Sequence, residues 1–290
     1  MYKNLVIGGS GKIGRYINLP NSLVTYYKNK IPYGIQLGLN FKKFTNLHKK
    51  YKFENIVLLA AISNIDECKI NEKYSKKVNL DFPKKIISFL KNKETKLIYF
   101  SSDQVYGNNI NGKETSSLKP INVYGKQKKE IESFIKKKLK NYLIIRLSRT
   151  ILEKDYDGDV VSDFIKKYKN NELILASDDY SFNFVGSSYL EKSLKALIKK
   201  DLKGIYNIAG NKPYSFFEIF FHLKKHLIKK GIKDNKIKLV KISKNDLNFI
   251  DERPSIIFSN INKISKVFRN PPNMKQKLIQ ILKKRLDGKI

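Results

Sequence analysis

Apolar positions in this chain gather into blocks of two lengths. Short continuous runs occupy residues 4–8 (NLVIG), 22–28, 34–39, 55–61 (NIVLLAA), 95–102 (TKLIYFSS) and 142–148 (YLIIRLS). Runs that are apolar throughout, instead of alternating with polar residues, mark strands buried on both faces. Between them, apolar residues recur at helical spacing over 12–18, 43–52, 70–91 and 124–140. Strand alternating with helix predicts a parallel, doubly wound α/β sheet. The link at residues 29–33 is too short for a full helix, so the second and third strands should follow one another directly.

Past about residue 147 the pattern loosens. Helices are expected at 160–170, 188–200, 216–230 and 273–285, and strands at 204–210 (GIYNIAG) and 236–242 (KIKLVKI). Ser215 followed by Glu218 has the S-x-x-E form of a capping box, which fixes the start of the third of these helices. No internal repeat or low-complexity linker divides the chain, so the second half is expected to build onto the first.

Composition narrows the class. With 290 residues, 41% of them hydrophobic, the chain can bury a large core. No apolar run reaches the ~18–20 residues that span a bilayer, and the opening residues run straight into a strand pattern without a secretory signal. Cys68 is the single cysteine, which fits a reducing compartment, so the cytoplasm is expected. The net charge of +33 invites a nucleic-acid reading. Arginine, the better fork for phosphate, supplies few of these charges, and the lysines run from end to end. They read as solvated surface and compositional bias, so no specific nucleic-acid partner is expected. His222 and His226 lie four apart on an expected helix but lack a third ligand, so no metal is expected.

Two features carry chemistry. Gly8, Gly11 and Gly14 form G-x-x-G-x-x-G between the first strand and the expected first helix. Glycines there let backbone N–H groups approach a pyrophosphate. Together with the strand order, this predicts a Rossmann-type dinucleotide-binding domain over 1–147, to which the strand near 204–210 returns. Residues 148–290 are expected to form a smaller C-terminal α/β substrate-binding cap. NAD sites usually place an acid ~20 residues after the glycines, yet no Asp or Glu precedes Glu54. That absence favours NADPH, with Lys28 positioned toward a 2′-phosphate. The second feature is Tyr124 four residues before Lys128, on one helix face. The spacing is uninformative alone, since Tyr26/Lys30 repeats it. Its context is a strand ending in Ser101 and Ser102 about twenty residues earlier.

That context resembles the extended short-chain dehydrogenases/reductases. Within them, AAISNIDECK (60–69), SSDQVYG (101–107) and INVYGKQKKEIE (121–132) are similar to stretches of the dTDP-4-dehydrorhamnose reductases. The resemblance spans roughly residues 3–265. It implies that Ser102 bonds a substrate carbonyl, Tyr124 donates its proton, and Lys128 holds the nicotinamide ribose and lowers the tyrosine pKa. Bringing a tyrosine from ~10 to about 7 takes roughly 4 kcal/mol. The resemblance also implies cofactor contacts at Ser10, Lys12, Ile13, Ala60, Ala61 and Ser63, and substrate contacts at Asp103, Gln104, Arg149 and Arg253. Arg149 stands where the family commonly has tryptophan, and DDYSFNF (178–184) departs from its D-Q-x-G-x-P-T. The expected activity is NADPH-dependent reduction of a nucleotide-linked 4-keto-6-deoxy sugar for surface polysaccharide synthesis, by a protein compatible with a homodimer. The alternatives are an NAD-dependent epimerase or dehydratase of nucleotide sugars, and a non-catalytic dinucleotide-binding relative.

Overall fold

The computed structural model describes residues 2–109, 111–153 and 159–286. Its centre is a seven-stranded, wholly parallel sheet. In chain order the strands are β1 (Asn4–Ile7), β2 (Ser22–Tyr26), β3 (Ile35–Gln36), β4 (Asn55–Leu58), β5 (Lys96–Ser102), β6 (Tyr142–Leu147) and β7 (Gly204–Ile208). Across the sheet they run β3-β2-β1-β4-β5-β6-β7. The order reverses beside β1, which opens a crevice at the carboxyl ends of β1 and β4, where ligands bind in such sheets.

The alternation of side chains along each strand divides the core in two. Leu5, Ile7, Ile56, Leu58, Leu97 and Tyr99 face one layer, against Phe44, Ile86, Ile87, Ile131 and Ile135 from the helices. Val6, Val57, Ile98, Phe100, Leu143 and Ile145 face the other, against Tyr189, Leu190, Leu194, Leu197 and Ile264. This two-sided burial is why the strands read as unbroken apolar runs. A third core lies in the C-terminal half, where helices Val160–Lys169, Phe216–Ile228 and Met274–Leu286 bring Phe164, Phe220, Leu223, Leu278 and Leu282 together. The Ser215–Glu218 capping box is formed in both directions.

Three expectations are corrected. The helix over 12–18 is a single 3₁₀ turn, Gly14–Tyr16. The glycine turn uses the residues up to 13, and Pro20 with left-handed Asn21 (φ 53°) already turns the chain into β2, so no length remains for helix. Ile17 and Leu19 cover the sheet face instead. The expected strand 34–39 is only Ile35–Gln36. The helix over 70–91 begins at Ile65 and is interrupted by a π turn, Lys77–Asp81, between Glu72–Lys76 and Phe82–Leu90. In the cap, Leu239–Ile242 pairs with an unforeseen strand, Ile174–Ser177.

Candidate active site

The glycine turn leaves β1 through Gly8, whose φ of 94° only glycine adopts without strain. A side-chain carbon at Gly14 would sit 2.4 Å from the Gly8 carbonyl oxygen, and one at Gly8 would sit 2.6 Å from the Ala60 amide. The turn is therefore packed backbone on backbone. Among the described residues the amides of Ser10 and Ile13 donate no hydrogen bond, whereas those of Gly9 and Gly11 are used internally. Free, forward-facing N–H groups at the end of a central strand fit a dinucleotide pyrophosphate. With one 3₁₀ turn behind them they carry little helix dipole, so the loop amides themselves are what the turn offers an anion. Lys12 and Lys28 are exposed; the Lys28 ammonium lies 5.8 Å from the Tyr27 ring centre. Ala60 and Ala61 are half-buried and Ser63 is exposed on the loop after β4.

Helix Val123–Lys138 starts at Asn122, whose side chain accepts from the Gly125 amide at 2.8 Å. That cap sets the phase of the helix. Tyr124, Lys128 and Glu132 stack on consecutive turns, all buried against the end of β5. Gly125 permits the approach, because a side-chain carbon there would meet the Gln104 carbonyl oxygen at 2.6 Å. Ser102, the last residue of β5, donates to Asp103 Oδ1 at 3.1 Å. Its hydroxyl also lies near enough to Tyr124 to oppose the upward shift of that phenol. Lys128 Nζ donates to the Phe100 carbonyl at 2.7 Å and lies 5.6 Å from the Tyr124 ring centre. Ser102, Tyr124 and Lys128 thus meet at the carboxyl edge of the sheet.

Their titration differs from the expectation. Burial drives Tyr124 above the ordinary tyrosine value, with the nearby Cys68 and Asp103 adding to it. Burial likewise depresses Lys128 to about 8, against the opposing pull of Cys68 and Glu132. The lysine gives its hydrogen bond to a backbone carbonyl instead of the phenol, so the protein alone does not lower the tyrosine. Asp103 is wholly enclosed, and burial raises it to about 6 despite the polar groups of Ser148, Ser102 and Gln104 close by. Among the described residues no group completes a well-formed hydrogen bond with its Oδ2, nor with the Ser148 hydroxyl.

Gln104 is 6% exposed, and its Oε1 accepts from the helix-capping Asn122 at 2.9 Å. Arg253 is committed internally, to Asp66 at 2.9 Å and to the Asp251 carbonyl at 3.0 Å. Arg149 is exposed, with its charge centre against the Phe182 and Phe216 rings.

Two supports were missed in the sequence. Glu132, at 0% exposure, takes Arg146 through a forked pair (Nη2–Oε2 2.7 Å, Nε–Oε1 3.0 Å) and Ser101 at 2.6 Å. Its spacing from Tyr124 and Lys128, one further turn, was a readable signal. Asn79, inside the π turn, bonds both the amide and the carbonyl of Ile62 and donates to Gln127 at 2.7 Å. It ties the loop after β4 to the catalytic helix, and a lone Asn in a helical pattern gave no sign of this. π turns recur at functional sites.

A glycine turn on β1 and a serine, tyrosine and lysine at the end of β5 define the class: the extended short-chain dehydrogenases/reductases. Within that class the chain belongs to the family described as RmlD substrate binding domain, whose model matches residues 3–286. It is 22% identical over 297 residues to a dTDP-4-dehydrorhamnose reductase of Aggregatibacter actinomycetemcomitans, covering 97% of this chain and 98% of that one. A dTDP-D-glucose 4,6-dehydratase of Dictyostelium discoideum is 25% identical over 264 residues, covering 75% of this chain and 60% of that one. Among solved structures, the dTDP-4-dehydrorhamnose reductase of Bacillus anthracis in complex with NADP superposes with a TM-score of 0.84 at 19% identity, covering 98% and 100% of the two chains. No helix among the described residues is long and apolar enough to cross a membrane.

Proposed function

We propose that this protein is an NADPH-dependent reductase of a nucleotide-linked 4-keto-6-deoxy sugar of the dTDP-4-dehydrorhamnose type, acting in the cytoplasm in surface polysaccharide synthesis. The observation that carries this is the convergence of Ser102, Tyr124 and Lys128 beside a glycine turn with unbonded amides, in a chain of this family. Residues 1–147 with β7 would hold the cofactor and 148–290 would supply most of the sugar site. When bound, the nicotinamide supplies the hydride. Ser102 would donate a hydrogen bond to the ketone oxygen, and Tyr124 would release its proton to that oxygen as the carbonyl becomes an alcohol. Lys128, whose ammonium faces the tyrosine ring, would hold the ribose and favour the phenolate that remains. Ser10 and Ile13 amides would receive the pyrophosphate.

Asp103 favours a second reading. An enclosed carboxyl raised to about 6 can move a proton at neutral pH, as a dehydratase of the same superfamily needs. One set of assays separates the two. The reductase consumes NADPH with dTDP-4-dehydrorhamnose; the dehydratase converts dTDP-glucose with NAD and consumes no reductant overall. Tyr124→Phe should lower reductase turnover by about 10²–10⁴, the usual worth of a general acid, with NADPH affinity little changed. Near-normal turnover in that variant removes the proposed mechanism. NADPH should also bind more tightly than NADH in a fluorescence titration, since no acid meets the ribose end.

A further inference from the structure

Among the charged side chains around the cleft, Arg149 stands apart. Arg146 is forked onto Glu132 and Arg285 onto Asp159, while Arg253 pairs with Asp66 and the Asp251 carbonyl. Among the described residues nothing accepts a hydrogen bond from the Arg149 guanidinium, and no carboxylate forms an ion pair with it. Its charge centre lies 4.8 Å from the Phe216 ring centre and 5.3 Å from that of Phe182. The two rings meet each other edge to face, 6.0 Å apart, so the guanidinium packs against their shared corner and keeps N–H groups for acceptors. The residue is exposed to solvent, while the protein packed against it desolvates the guanidinium enough to lower its pKa. Its place in the sheet fixes what it can reach. Ser102 is paired in register with Leu147, the last residue of β6, and Arg149 follows two residues later. It therefore stands one strand over from the serine and from Asp103, whose Oδ2 also has no partner.

We propose that Arg149 is a substrate-binding residue that forks onto an oxyanion of the nucleotide sugar, an inference that rests on the reductase reading above. A hydroxyl takes one N–H, whereas a phosphate or carboxylate takes two in parallel. Contact with two rings restricts the side chain before the ligand arrives, which lowers the ordering loss on binding. Two parts of a nucleotide sugar offer such oxygens: its diphosphate, and a carboxylate on its sugar. Either lies within reach of a side chain anchored beside the reacting carbonyl.

Equilibrium titrations of the full chain loaded with NADP⁺ separate the sources, using wild type, Arg149→Gln and Arg149→Lys. If the diphosphate is the partner, Arg149→Gln weakens dTDP by about tenfold or more and leaves thymidine unmoved. If a sugar carboxylate is the partner, dTDP is unmoved, wild type prefers UDP-glucuronate to UDP-glucose, and Arg149→Gln erases that preference. Arg149→Lys, which keeps the charge and loses the fork, should fall between in either case. Unchanged affinity of Arg149→Gln for dTDP and for UDP-glucuronate overturns the proposal. Should Arg149→Gln fail to bind NADP⁺, it has lost its fold and Arg149→Lys decides: wild-type affinity for both ligands in that variant overturns the fork. A wild type that binds NADP⁺ but none of these nucleotides overturns the substrate reading and this one together. A wild type that binds them yet reduces no keto sugar overturns the reductase reading alone, with Arg149 judged by the titrations.

Discussion

Asp103 shows at one residue how a site is built against stability. An enclosed carboxylate with an unpartnered oxygen loses hydration that its neighbours do not replace, and burial raises its pKa to about 6. The linked stability has a definite sign. The folded pKa lies above the unfolded value of ~3.9, so Asp103 contributes most below the unfolded pKa, and that contribution is lost as pH rises through 6. A rise of that size corresponds to about 3 kcal/mol. Asp103→Asn, which cannot ionise, should therefore gain stability relative to wild type between pH 4 and 7.5, by up to about 3 kcal/mol. Urea unfolding of both proteins at the two pH values measures it; a difference that does not move with pH removes the argument. Lys128 has the opposite character. Burial holds its ammonium to about 8, so stability from this group rises as pH climbs from 8 toward the unfolded value. A site whose acid and amine both titrate within about one pH unit of neutrality is set for proton handling.

At the scale of elements, the sequence was most legible where one physical signal dominates. Continuous apolar runs gave the central strands, because both faces of the sheet are covered. The Tyr124/Lys128 spacing became meaningful once a serine-ended strand and a glycine turn stood beside it. Legibility failed where tertiary demands override local pattern. Residues 12–18 have helical periodicity yet form one 3₁₀ turn, since the crossover to β2 leaves no room. The π turn around Asn79 is a helix distorted to reach the loop after β4, and the two-residue strands of the cap are set by long-range pairing. The bond from the Asn122 cap to Gln104 was not legible, because the two residues are distant in sequence. The shortened crossover leads to a prediction about its glycines. A methyl at Gly14 would lie 2.4 Å from the Gly8 carbonyl oxygen and 2.6 Å from Gly9 Cα, backbone atoms that cannot swing aside. At Gly11 the nearest atom is 3.3 Å away. Gly14→Ala should destabilise by about 1–3 kcal/mol and weaken NADPH more than tenfold, while Gly11→Ala should have the smaller effect on stability. Chemical unfolding and cofactor titration of the pair check the order, and equal effects would contradict the packing account.

In the molecule as a whole, the cleft exists because the C-terminal half is tied back over the carboxyl ends of the strands. The segment around residues 249–253 is the tie. Asp66, on the helix after β4, accepts from the Ile250 amide at 3.1 Å and the Asp251 amide at 3.0 Å, and pairs with Arg253 at 2.9 Å. Asp251 in turn accepts from the Val123 amide at 2.8 Å, and the Glu252 carbonyl accepts from Asn122 at 3.1 Å, at the start of the catalytic helix. One short stretch of chain therefore grips both the helix after β4 and the cap of the helix that carries Tyr124. Burial disfavours the charged Asp66 carboxyl, but the amide of Asp251 and the charge of Arg253 outweigh it and hold its pKa below the usual value. The tie is thus intact at neutral pH and weakens as pH falls through that depressed pKa. Among the described residues Arg253 forms no ion pair with another acid, so removing Asp66 leaves it without its anion. Asp66→Ala should lose about 2 kcal/mol of stability, the worth of hydrogen bonds to a charged group. Because the glycine turn lies elsewhere, NADPH affinity should stay within about threefold, while KM for the nucleotide sugar rises by about tenfold, near 1.4 kcal/mol. Hydrogen exchange gives a reading independent of activity: the amides of Ile250 and Asp251 should exchange faster in the variant, and those of β5 should not. Protection at 250 and 251 equal to wild type would mean that the segment is held by something other than Asp66.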